Sequence, residues 1–127
     1  MKRLAILLPP LALLAVPIMA PAQDTPGGVQ AKNKAADGAK IYKQICAACH
    51  LPNAQGAGAI PALARDKKLA NAAYPIGVLT KGKGAMPPMG DMLTPAQMAA
   101  VITYVRTNFG NAYPQPVTEA DVKRGGK

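Results

Sequence analysis

Apolar positions recur at helical spacing in two stretches of the chain. Ile41, Tyr42 and Ile45 fall within one turn of each other, and Asp37 stands where an N-cap belongs, so a short helix is predicted over 38–45. Met98, Val101, Ile102, Val105 and Phe109 repeat more regularly behind Thr94-Pro95-Ala96-Gln97. That tetrapeptide has Thr at the N-cap, Pro at the first helical position and Gln at the third, a capping box. Gly110 is the expected stop. Weaker patterns predict a short helix around 64–71 and another over 75–81, opened by Pro75 and ended by Gly82. Residues 51–62 and 83–93 are rich in Gly, Pro and small residues and read as loops. No alternating apolar and polar run competes, so the fold class expected is all-α.

The ends read differently. Lys2 and Arg3 precede an apolar run from Leu4 to Ala20, followed by Ala20-Pro21-Ala22. A basic start, an apolar centre and an A-x-A site predict a cleaved signal peptide over 1–22, with Gln23 as the new N-terminus. Pro9, Pro10 and Pro17 interrupt the run and argue against a retained membrane anchor. Residues 23–36 lack periodicity and read as a flexible lead-in. The domain is expected over 37–110. Residues 111–127, with Pro114, Pro116 and a basic Gly-rich end, read as a surface-hugging or mobile C-terminal tail with one short turn near Thr118 to Val122.

The chemistry is concentrated in Cys46-Ala47-Ala48-Cys49-His50, which holds both cysteines and the only histidine. Two thiols at this spacing can each add to one vinyl group of haem, and the adjacent imidazole can ligate the iron: the c-type haem attachment pattern. A thioredoxin-like site belongs near a βαβ pattern, and none is present. Structural zinc needs four ligands, and the chain has no further Cys or His. A Cys46–Cys49 disulfide in a haem-free exported protein is the remaining rival. One covalent haem c is therefore expected. With a single histidine, the second axial ligand within the chain is Met, Lys or nothing. A thioether opposite His raises the reduction potential. Met86, Met89 and Met92 share one loop; Met98 falls on the apolar face of the last helix. Pro87 and Pro88 stiffen the chain after Met86, but residue chemistry alone leaves all three loop methionines open.

Charge adds a partner class. The formal charge is +9, and removing Lys2 and Arg3 leaves +7 on the 105 residues that follow a cut after Ala22. Such a surface suits an acidic docking partner. The lysines are scattered and no nucleic-acid motif accompanies them, so no nucleic acid is expected.

The chain from Asp37 to Val122 resembles a class I c-type cytochrome of the small bacterial periplasmic type. The motifs occur in that family's order: Gly38-x-x-x-Tyr42, CAACH, the loop GAGAIPAL, a middle helix, GAMPPMG and a last helix ending VITYVRTNFGN. The resemblance implies three to five short helices around one haem, Cys46 and Cys49 as thioether attachments, His50 as proximal ligand and Met86 as distal ligand. It implies that the Pro61 carbonyl accepts a hydrogen bond from His50, and that Gly38 and Tyr42 cross Tyr104. It also implies one-electron transfer, with no small-molecule substrate, between a dehydrogenase or respiratory donor and a downstream oxidase or reductase, in the periplasm. The chain lacks the tryptophan with which many relatives bind a haem propionate; Tyr74 and Arg65 are the substitutes expected. The rival function is a ligand-sensing or weakly peroxidatic haem protein with an open sixth site.

Overall fold

The computed structural model describes residues 36–126. The expected signal peptide and all of the lead-in except Ala36 lie outside the described residues. Among the described residues the structure is helical, with no strands and two isolated bridges in loops. None of these helices is long and apolar enough to cross a membrane.

Helix α1 (Gly38–Ile41) starts where Asp37 Oδ1 accepts the Lys40 N–H at 3.1 Å. It continues without a break into a π-helical turn, Tyr42–Cys46, and then α2 (Ala47–His50). The Ala47 N–H reaches back to the Tyr42 carbonyl, five residues away. The expected helix over 38–45 is thus longer and carries a π-turn. The extra residue widens this turn and shifts the register of Cys46, Cys49 and His50 relative to Ile41, with Cys46 still packed against the core.

The expected helix over 64–71 shrinks to one 3₁₀ turn, Lys67–Ala70, capped by Asp66. Arg65, at φ 53°, prevents an earlier start. Helix α3 (Ala73–Lys81) begins two residues before Pro75, where Asn71 Oδ1 accepts the Ala73 N–H. Pro75 costs little there, because first-turn N–H groups have no partner within a helix. Gly82, at φ 75°, ends it.

Helix α4 (Pro95–Thr107) has both bonds of the capping box: Gln97 N–H to Thr94 Oγ1 at 3.2 Å, and Thr94 N–H to Gln97 Oε1 at 2.9 Å. It stops three residues before Gly110. Phe109 and Gly110 are both left-handed, at φ 57° and 78°. This turn swings the Phe109 ring back onto Tyr42 and Tyr104, with centroids 4.8 and 5.6 Å away. Aromatic packing therefore takes Phe109 from the helix that its spacing predicted.

Residues 111–126 run along the surface, mostly exposed, and are anchored by the buried Asn111, Val117 and Val122. Thr103 Oγ1 accepts the Val117 N–H at 2.9 Å, and Val117 and Val122 are buried. Helix α5 (Glu119–Gly125) has its own capping box from Thr118 and Asp121, and it packs on α3 and α4. Hydrogen bonds from Thr118 hold the Asp121 carboxyl below the usual carboxylate range. The core centres on α4, whose Met98, Val101, Ile102 and Val105 are buried. α1 crosses α4 at Gly38, where a Cβ would stand 2.3 Å from the Ala100 carbonyl oxygen and 2.8 Å from Tyr104 Cβ. Only glycine allows that approach.

Candidate functional site

The π-turn and α2 place the two thiols and the imidazole on consecutive turns. Cys46 is half-buried, Cys49 exposed and His50 buried; neither cysteine forms a disulfide. Burial pushes the Cys46 thiol up to about 11. The chain leaves α2 through Leu51, at φ 67°, and two bonds secure this exit. Tyr42 Oη donates to the Leu51 carbonyl at 2.8 Å, and the Gly56 N–H donates to the His50 carbonyl at 3.0 Å. Tyr42 is itself buried beneath Tyr104, 5.9 Å between centroids, so the N-terminal helical segment and α4 meet directly behind the CAACH turn.

The His50 ring makes its hydrogen bond through Nδ1, 2.9 Å from the Pro61 carbonyl oxygen. A carbonyl can only accept, so Nδ1 carries the proton. In the neutral ring Nε2 then holds the lone pair, and it is the nitrogen that can ligate a metal. The loop that carries Pro61 is held by paired bonds between Ala57 and Ile60 and by the Leu63 and Ala64 N–H groups, which share the Ala54 carbonyl. Gly56, at φ 66°, lies so close that a Cβ there would be 2.7 Å from the Pro61 carbonyl oxygen. Gly56 is required there because backbone packs on backbone beside His50.

The methionines separate by environment. Met98 is buried on α4, and Met89 is buried with its N–H donating to the Leu79 carbonyl at 2.7 Å. Met92 is 60 % exposed. Met86 is half-buried against the core, on a turn closed by Lys83 N–H to Met86 O at 2.9 Å and Met86 N–H to Lys83 O at 3.0 Å. Of the expected propionate partners, Tyr74 is flanked by ammonium groups, with Lys83 Nζ 4.9 Å and Lys68 Nζ 5.9 Å from its ring centre. Arg65 is exposed, and its side chain lies beside Gly110.

Among the described residues no group of three or more His, Cys, Asp or Glu side chains converges. The donor set is therefore thiol, imidazole and thioether. That chemistry suits a c-type haem: two thiols for covalent attachment, a nitrogen with a free lone pair and a soft sulfur.

Residues 33–105 match the family described as cytochrome C oxidase, cbb3-type, subunit III. The chain is also 36 % identical over 75 residues to cytochrome c6 of Gloeothece citriformis (strain PCC 7424), covering 56 % of this chain and 68 % of that protein.

The chain is a class I c-type cytochrome.

Membership implies haem c, one-electron transfer and the all-α fold described above. It also gives the internal bonding of the cytochrome a functional context. Arg106 and Asn111 were given no role by the sequence, yet both are buried and hydrogen-bonded. Arg106 donates to the carbonyls of Leu69 (2.9 Å), Ala70 (3.3 Å) and Gln115. A signal for Arg106 exists: it stands four residues after Ile102 and eight after Met98, on the apolar stripe of α4. Asn111 follows the helix end and has no such signal.

Proposed function

We propose that this cytochrome is a periplasmic one-electron carrier with a single haem c attached through Cys46 and Cys49. His50 Nε2 is the proximal ligand and Met86 Sδ the distal one. When bound, haem c supplies the one-electron couple. The residues of the chain hold it, orient its ligands and keep water away. The observation that carries this reading is the bond between His50 Nδ1 and the Pro61 carbonyl. It fixes the ring tautomer within the CAACH turn and raises the basicity of Nε2, the usual office of an outer-shell partner of a ligating histidine. Met86 is favoured because Met98 and Met89 are packed in the core while Met92 faces solvent. Gly82 lets the Met86 turn close: a Cβ there would be 2.8 Å from the Met86 carbonyl oxygen.

Export supports covalent attachment, and the signal pattern over 1–22 supports export. The exposed Lys67, Lys68, Lys81 and Lys83 support docking to an acidic redox partner, a dehydrogenase or respiratory donor on one side and an oxidase or reductase on the other.

Intact-mass and absorption measurements on protein expressed in a host competent for haem attachment test this reading. The mass expected is that of 23–127 plus one haem, with a sharp reduced α-band and a weak long-wavelength band in the oxidised form. Met86→Ala should abolish the long-wavelength band and admit carbon monoxide to the reduced protein, whereas Met92→Leu should leave both as in the wild type. Wild-type protein that binds carbon monoxide at neutral pH would favour the ligand-sensing or peroxidatic function instead. A colourless product would end the haem reading.

A further inference from the structure

Asn111 lies one residue beyond the left-handed turn that ends α4 and is 7 % exposed. Its carboxamide makes three bonds. Nδ2 donates to the carbonyls of Leu63 at 2.9 Å and Val105 at 2.8 Å, and Oδ1 accepts the Asp66 N–H at 3.0 Å. The Arg65 N–H adds a parallel bond to the Phe109 carbonyl at 3.2 Å. Asn111 therefore joins the last turn of α4 to residues 63–66, directly downstream of Pro61. The opposite side of that segment is held as well, because the Leu63 N–H donates to the Ala54 carbonyl at 2.8 Å. Leu63 is thus fixed at both its N–H and its C=O, two residues from the carbonyl that meets His50.

We propose that Asn111 is a positioning residue for the proximal ligand: by holding Leu63 and Asp66 it keeps the Pro61 carbonyl on His50 Nδ1–H, and so tunes the imidazole towards the iron. The proposal rests on the reading of His50 as haem ligand. The direction of its effect follows from that bond. An Nδ1–H donated to a carbonyl makes the imidazole a stronger electron donor. A stronger donor stabilises the oxidised metal, so a loosened bond raises the reduction potential. Asn111 touches neither His50 nor Pro61 in any bond described, and its influence passes along three residues of backbone.

The test uses reduced holoprotein, in which the His50 Nδ1 proton can be followed by NMR, together with the midpoint potential. Asn111→Leu keeps the number and branching of the side-chain heavy atoms and adds no charge but removes all three bonds. The Nδ1 proton should exchange at least about tenfold faster, the change expected when one hydrogen bond ceases to protect it. The midpoint should rise. Asn111→Ser, whose hydroxyl can replace one of the three bonds, should move both readouts in the same direction by less, and it serves where the leucine variant does not fold. Val122→Ala, in the buried face of α5, should lower stability while leaving both readouts in place. An Asn111 variant with unchanged exchange and midpoint would overturn the proposal. So would equal shifts in Val122→Ala, since a general loss of stability would then account for them. These outcomes leave the haem reading intact; wild-type protein without haem would remove that reading and the proposal together.

Discussion

Tyr42 shows how much one side chain can do here. Its ring fills the crossing of α1 and α4, and its hydroxyl holds the Leu51 carbonyl beside His50. Burial, with Cys46 and Tyr104 adding to it, pushes the phenol from 10.0 up to about 12. An acid whose folded pKa is raised stabilises the fold through its neutral form. That contribution is complete below pH 10 and is lost as the pH rises through about 12. Tyr42→Phe should therefore cost about 1 kcal/mol at neutral pH, one hydrogen bond. It should also lose less further stability than the wild type between pH 10 and pH 12. Denaturant unfolding across that range checks both, and parallel curves for the two proteins would contradict the assignment. The ring of Tyr42 was legible from its helical spacing. Its hydroxyl partner was not, because Leu51 meets it only after the chain has left α2 in a left-handed conformation.

Elements meet through glycine at one point and through capping at others. At Gly38 a Cβ would strike the Ala100 carbonyl oxygen, and backbone cannot swing aside as a side-chain tip can. Gly38→Ala should destabilise by about 1–3 kcal/mol through overpacking, despite the better helix propensity of alanine. Gly77 in α3 provides the opposite case, since a Cβ there would meet nothing within 4 Å. Gly77→Ala should stabilise by up to about 1 kcal/mol. Thermal unfolding of the two variants should shift in opposite directions, and a common direction would show that the crossing does not limit α1. Both termini of α4 are instructive. Its start was readable because the capping box is local, four residues that satisfy each other. Its end was misplaced by two residues because Phe109 answers to Tyr42, far away in sequence, as well as to Tyr104. The π-turn before Cys46 has no local marker at all.

The whole molecule is a basic body around one redox site. Formal charge past Gln23 is +7, and the lysines near the Met86 turn include Lys81 and Lys83. If these lie at the docking edge, the charge acts on encounter rate more than on affinity. Replacing both by Glu should slow oxidation by ferricyanide, a small anionic probe, by about tenfold at low salt. The difference should fade as salt screens it, and a neutral oxidant should react with both proteins alike. Equal ferricyanide rates would place the two lysines away from the redox edge. At this scale, sequence alone pointed to haem chemistry, the all-α class and the order of the elements through α4, because C-x-x-C-H, a capping box and an apolar stripe are each written within a few adjacent residues. Tertiary structure alone decided the contacts that support the site: that Val117 and Val122 anchor residues 111–126 on the core, that Arg106 can be buried on the carbonyls of Leu69, Ala70 and Gln115, and that Asn111 closes on Leu63. Those contacts join residues as many as 48 positions apart. The bonds of Arg106 and Asn111 end on backbone groups, which nearly every residue carries alike, so no pattern of side chains could announce them before the chain was folded.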